Sequence, residues 1–360
     1  MNGSKKNFKN SHILIIGSGI IGKFNALELS KQGYKITIAD PQKGTNGSNA
    51  ALGLLIGNMY QKSKGRSWEL REKSNELWPK WIKLLQKYNN NLDIDKPLIQ
   101  LTTEQEIFEK LSKFVSLHPM RDLRVIERDS NIIKNINKIF NIDNLKGIIS
   151  NQDGRIDPIS LLRTLNIFLE NEKINFINEE IVKIKKLNNQ WISTCSNNLE
   201  IASDIVVLCN SLDAIKLIDL NCHNIKLKPV LGQAMEISIN EKETNLLSLP
   251  KHFNINGKNF LRTNKNKLII GSTDEYDIRP KENTFEELTD FLENKPQWLN
   301  KNNITNKWFG IRSRPEGEPS PILKSLEKGL ILCTGFYKNG ILLAPACSNW
   351  ISNEIKNHLL

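Results

Sequence analysis

A chain of 360 residues with 39% hydrophobic content can bury two cores, and no run reaches the about 18 uninterrupted apolar residues that a membrane-spanning helix needs. The opening MNGSKKNFKN is polar, with no apolar signal core behind it, so a cytoplasmic protein is expected. The net charge of +11 would suit a polyanionic partner. The basic residues are spread along the chain, however, and the abundance of Asn, Lys and Ile fits biased codon use better than a nucleic-acid face, so nucleic acid is not expected as a partner.

Five cysteines (Cys195, Cys209, Cys222, Cys333, Cys347) are scattered with no CxxC spacing, which argues against both a disulfide framework and a metal site. The five histidines (His12, His118, His223, His252, His358) are equally dispersed, and no local nucleophile and base set emerges.

In chain order, HILII is an unbroken apolar run of the kind a parallel strand buried on both faces requires. Helical spacing follows from Ile20 to Ser30, stopped by Gln32-Gly33, and YKITIAD predicts a second parallel strand ending on Asp40. After a loop of small residues (44–58), Trp68, Leu70, Leu77, Trp81, Leu84 and Leu85 mark an amphipathic helix over 67–88 that contains Pro79. Asp157-Pro158 reads as an N-cap with proline at the first helical position, which predicts a helix from 158 to about 170. INFI, EIVKIKKL and QWISTC are strand-like, and DIVVLCN (204–210) is another parallel-type strand. A block from 228 to 274 (KPVLGQAMEISI, KNFLRT, KLIIGSTD) alternates as an antiparallel sheet would, and a helix is expected over 284–294. The strand GLILCTGF and a helix over about 340–358 close the chain.

The sharpest chemical signal is Gly17-x-Gly19-x-x-Gly22, placed between an apolar strand and a helix, with Asp40 about 20 residues further on. Gly17 permits a tight turn, Gly19 lets backbone approach a pyrophosphate at the positive helix end, and Gly22 lets the helix pack on the strand. Asp40 suits ribose hydroxyls and would repel a ribose phosphate. Dinucleotide binding follows, but the glycines alone do not separate FAD from NAD.

The rest of the chain separates them. GTNGSNAALGLL (44–55), DGRIDPISLL, DIVVLCN, PVLGQAMEI, IIGSTDE, GIRSRPEGEPSPI and GFYKNGILLAPA succeed one another in the order seen in the FAD-dependent D-amino acid oxidase family. Over essentially its whole length the chain resembles the glycine oxidase branch of that family. The resemblance implies an α/β fold: a Rossmann-type FAD-binding domain (1–90, 145–228, 305–360) with a discontinuous insertion forming an antiparallel-sheet substrate domain (91–144, 229–304). It also implies FAD held non-covalently.

Site residues implied by the resemblance fall into groups. Gly17, Gly19, Ile20, Ile21, Gly22 and Asp40 belong to the entry turn. Ser48, Asn49, Ala50, Ala51, Gly53 and Leu54 form the loop where small side chains let the flavin approach backbone. Val182 matches the position whose backbone meets adenine, and Cys209 and Asn210 end the middle strand. Tyr337, Asn339, Gly340, Ile341 and Leu342 start the closing helix, whose amides would face the flavin pyrimidine and stabilise its negative charge when reduced. Arg312 matches the arginine that clamps a substrate carboxylate, with Arg314 able to share that role, and Lys338 and Phe260 complete the substrate end. The implied reaction is hydride transfer from the substrate α carbon to flavin N5, giving an imine and reduced FAD, with dioxygen or another acceptor reoxidising the flavin.

Four departures from the family pattern bear on the substrate: Phe260 where Tyr is common, Phe336 where His is frequent, Lys338 where Arg is frequent, and Asn210-Ser211-Leu212 where a glycine and an aromatic are usual. Glycine, a D-amino acid or an N-substituted amino acid therefore all stand as substrates. Two other readings stay open: the oxidative domain acting on a carboxymethylaminomethyl group of a tRNA wobble uridine, and a flavin-binding scaffold without turnover. A homo-oligomer is compatible with the sequence, and oligomeric state is not readable from it.

Overall fold

The computed structural model describes residues 11–42, 47–218, 223–240 and 246–359. Cys222, the polar opening segment and Gly44–Asn46 of the small-residue loop lie outside them.

The apolar runs become the centre of a six-stranded sheet. Strand β1 (His12–Ile16) pairs in parallel with β2 (Lys35–Ala39) on one side and β12 (Ile205–Leu208) on the other. Beyond them lie β8 (Asn175–Ile177) and β19 (Leu330–Thr334), and the antiparallel β18 (Ile322–Glu327) forms the far edge. The helices α1 (Ile20–Ser30), α2 (Arg66–Leu85), α5 (Pro158–Asn171) and the closing helix (Gly340–Leu359) cover one face. Trp78, Trp81, Phe24 and Phe168 are buried there. The other face is covered by the antiparallel meander β9 (Ile181–Leu187), β10 (Gln190–Cys195) and β11 (Glu200–Ser203). Helix α5 starts where its capping residues predict, the Asp157 carboxylate accepting from the Ser160 amide at 2.8 Å.

A separate eight-stranded sheet carries the second core. Its order is β17 (Ile304–Pro315), β13 (Leu227–Ser238), β16 (Lys267–Gly271), β15 (Lys258–Arg262), β14 (His252–Ile255), β4 (Leu98–Thr102), β6 (Lys146–Ser150) and β5 (Leu123–Ile126). All its pairs are antiparallel except β4 with β14. Phe140, Phe253, Phe260 and Trp298 interlock on one face of this sheet. The short pair β3 (Leu54–Leu55) and β7 (Gly154–Arg155) lies between the two large sheets in sequence and forms a ladder of its own.

Two boundaries differ from the sequence expectation. Residues 146–150 and 305–315, assigned above to the dinucleotide-binding part, are hydrogen-bonded into the eight-stranded sheet within β6 and β17. Neither segment carries a local mark of the sheet it joins, because which sheet recruits a strand depends on partners far away in sequence. The helix expected over 284–294 ends at Thr289, whose hydroxyl bonds back to the Phe285 carbonyl at 2.7 Å.

Candidate active site

A cavity of 1010 Å³ runs from the C-terminal ends of β1, β2 and β12 across to the eight-stranded sheet. It opens where ligands of doubly wound sheets bind, outside the carboxyl ends of parallel strands.

At its first end, Gly17 turns with φ +103, and a Cβ there would meet the backbone of Cys209 and Asn210 at 2.8 Å. Gly22 lies against this turn: its Cβ would stand 1.9 Å from the Gly17 carbonyl oxygen, so α1 packs as closely as glycine allows. Gly19 precedes α1 without a side-chain cap, and the Ile20 amide instead donates to Ser48 Oγ at 3.0 Å. The Asp40 carboxylate accepts from the Ser18 amide and the Gln42 amide, each at 2.6 Å, which fixes it on the cavity wall beside the glycine turn.

The small-residue loop presses directly on β17. A Cβ on Gly310 would meet Ala50 Cβ at 2.5 Å, and Trp308 Nε1 donates to the Ala50 carbonyl at 3.2 Å. Its smallness is therefore demanded by a neighbouring strand as well as by the space it borders.

The closing helix begins beside α1, a Cβ on Gly340 falling 3.7 Å from Ile20 Cγ2, so two helix N-termini face one cavity. Asn339 is held there by Arg71, whose Nη2 donates to Asn339 Oδ1 at 2.9 Å while its guanidinium lies 3.7 Å from the Tyr60 ring centroid. Arg71 is buried, which pulls its pKa down, and its Nε has no hydrogen-bond partner among the described residues.

At the far end Arg312 projects from β17. Its Nη1 donates to the Thr273 carbonyl at 3.1 Å and to Asp274 Oδ1 at 2.9 Å, and its Nη2 donates to Ser272 Oγ at 2.6 Å. Burial lowers its pKa, and Asp274 opposes that shift. Asp274 also takes the Lys338 ammonium on Oδ2 and the Tyr337 hydroxyl on Oδ1 at 3.2 Å. The Tyr337 phenol is pushed up to about 12 by burial and then by Asp274, so it stays a neutral donor.

Of the residues singled out in the sequence, the wall contains Gly17, Gly19, Ile20, Ile21, Asp40, Ser48, Ala50, Ala51, Gly53, Leu54 and Val182. It also contains Cys209, Asn210, Arg312, Tyr337, Lys338, Asn339, Gly340 and Ile341. Gly22 and Leu342 pack behind it, and Asn49 is exposed beside it. Phe260 is corrected: it is fully buried in the aromatic cluster on the opposite face of its strand. Side chains alternate along β15, so Asn259 reaches the cavity instead, with Asn254 of β14 opposite it. Sequence reading missed Tyr60, Arg71, Gly232, Ser272 and Asp274. Of these only Gly232, a glycine in the interior of a strand, carried a local signal.

A family model described as FAD dependent oxidoreductase matches residues 12–354. The chain belongs to this family. Among curated relatives it is 24% identical over 359 residues to a bifunctional protein ThiO/ThiG of Nostoc sp. (strain PCC 7120), covering 95% of this chain and 52% of that protein. The match to the Synechocystis sp. (strain PCC 6803) protein of the same name is 24% over 351 residues, covering 96% and 51%. The chain thus spans about half the length of the curated relatives it matches. Among solved structures, glycine oxidase from Bacillus cereus superposes with a TM-score of 0.82 at 20% identity, covering 97% of this chain and 95% of that one. Iminodiacetate oxidase from Chelativorans sp. gives 0.81 at 16% identity, covering 96% and 95%.

FAD is the cofactor of this flavoenzyme family, and the cavity fits it on its own evidence. Among the described residues a Cβ on Gly340 would touch nothing closer than 3.7 Å, so none of their atoms accounts for glycine there. The buried Arg71 Nε, Asn210 Oδ1 and Ser313 Oγ on the wall have no hydrogen-bond partners among the described residues. Among the described residues no helix is long and apolar enough to cross a membrane.

Proposed function

We propose that this flavoenzyme oxidises a small primary or secondary amine that carries a carboxylate, a glycine-like or N-substituted amino acid. One observation carries the reading: a cavity whose first end is a dinucleotide turn ends on a guanidinium with donors to spare. Arg312 commits Nη1 to two acceptors and Nη2 to one, so its Nε–H and a second Nη2 hydrogen have no acceptor among the described residues. That is the donor pattern a carboxylate takes in a bidentate pair.

The remaining residues take roles along the same cavity. Asp40 would bond the ribose hydroxyls, and the α1 amides with Ser48 the pyrophosphate. Backbone at Val182 would meet the adenine, while Cys209, Asn210 and the 48–54 loop line the path of the flavin. The amides of Gly340 and Ile341 would face the pyrimidine oxygens at the positive end of the closing helix. When bound, FAD supplies the two-electron acceptor, and dioxygen or another acceptor restores it.

Arg312 fixes the carboxylate, and with it the α carbon, in one orientation. Tyr337 and Lys338 border the same pocket, their polar heads held by Asp274. No histidine lines the cavity among the described residues, so the amine is expected to react in its neutral form without a side-chain base.

Anaerobic mixing of the yellow protein with glycine, sarcosine, D-alanine and L-proline should bleach the flavin absorbance for at least one of them. Arg312→Ala should then raise KM for that amine by about 10²-fold with FAD still bound, the loss expected for one bidentate charge-assisted pair. A wild-type protein that keeps its colour with every carboxylated amine would refute the proposal.

A further inference from the structure

The carboxylate clamp holds more charge than one carboxylate matches. Arg312, Arg314 and Lys338 bring positive charge to this end, and Asp274 and Glu275 bring negative charge. The two carboxylates are used differently. Glu275 is buried, and its Oε1 accepts from Thr273 Oγ1 at 2.6 Å and from Gln233 Nε2 at 2.9 Å, so it is fixed within the turn that follows β16. Asp274 is exposed and off the cavity wall, yet it binds three residues that are on it: Arg312, Tyr337 and Lys338.

We infer that Asp274 is a specificity-determining residue: by occupying Lys338 and one side of Arg312 it sets the site for ligands with a single carboxylate and turns away dicarboxylates. The inference rests on the clamp reading of Arg312. Among the described residues, three cations and two carboxylates gather at this end while Asp274 is present, and the one uncompensated positive charge matches one ligand carboxylate. A second ligand carboxylate would find Lys338 already paired and would approach the Asp274 charge itself. Without Asp274, Lys338 is released and two positive charges remain. A unit charge within about 5 Å, partly screened, shifts the affinity of a second charge by about ten- to a hundredfold. A residue with a merely structural role would weaken both ligand classes together, so selectivity is the diagnostic quantity.

The test is calorimetric titration of the FAD-loaded protein with glycolate and with malonate, in the wild type and in Asp274→Asn, Asp274→Glu and Lys338→Met. The malonate-to-glycolate affinity ratio should rise about tenfold or more in Asp274→Asn, stay near the wild-type value in Asp274→Glu, and fall in Lys338→Met. A rise of less than about fivefold in Asp274→Asn, or an equal rise in Asp274→Glu, overturns the inference. Should Asp274→Asn fail to fold, Lys338→Met decides, and an unchanged ratio there overturns it. A wild type that binds neither acid removes the clamp and this inference with it. Binding of glycolate with an unchanged ratio removes the inference alone.

Discussion

A Cβ placed on Gly232 would stand 1.9 Å from Nη2 of Arg312 and 2.3 Å from its Cζ, so the guanidinium lies flat across the only residue type that leaves it room. The obstructed atoms are the far end of a flexible side chain, so Gly232→Ala should fold and keep FAD while displacing the clamp. We expect KM for the carboxylated amine to rise about tenfold or more, with melting temperature nearly unchanged, as steady-state kinetics and thermal unfolding would show. A second residue-scale prediction concerns Ser211, which sits at φ +57 just beyond the end of β12. An L side chain pays a conformational penalty there that glycine does not, and the Ser211 backbone carbonyl keeps its bond from Thr334 Oγ1 at 2.7 Å whatever the side chain. Ser211→Gly should therefore raise unfolding free energy by about 0.5–1 kcal/mol, measured by urea denaturation.

At the scale of elements, α1 and the closing helix converge on one cavity, and their approach is set by glycine. Because a Cβ on Gly22 would penetrate the Gly17 carbonyl, Gly22→Ala must lift the start of α1 from the turn. This should lose FAD as well as stability: the purified variant is expected to show a lower flavin-to-protein absorbance ratio and to regain little colour on adding FAD. Elements of this kind were legible in the sequence because their causes are local. ILII after His12 and IVVL are apolar throughout since both faces of a parallel sheet are covered, and Asp157-Pro158 starts a helix by bonds within one turn. What was not legible depends on a partner. Phe260 and Asn259 are adjacent and both plausible at a site, and only the ladder to β14 and β16 decides that Asn259 faces the cavity. Likewise nothing around Asp274 signals that Lys338, 64 positions away, will meet it.

At the scale of the whole molecule, the junction of the eight-stranded sheet with β7 hides an ionisable group whose charge the fold opposes. His252 of β14 is buried, neither ring nitrogen has a hydrogen-bond partner among the described residues, and the side chain lies near Arg155 of β7 and near Asp95. Burial first, and then the positive charge of Arg155, push its pKa down from 6.5 to about 4, with Asp95 only partly opposing them. The ring is therefore neutral at pH 7, and its 3.8 Å contact with Asp95 is not an ion pair there. The sign follows from linkage. The unfolded chain takes up a proton at His252 as pH falls through 6.5, whereas the folded protein resists until about 4, so stability is full above 6.5 and is lost progressively between those values. The loss reaches at most about 3 kcal/mol, a large share of the stability of an ordinary domain. His252→Leu removes the titration and leaves no unpaired nitrogen behind. Urea unfolding at pH 7.5 and pH 5 should show the wild type losing about 1–2 kcal/mol more than this variant across that interval, other groups titrating alike in both. Equal losses would mean that the ring accepts its proton in place and that the junction is wetter than its burial implies.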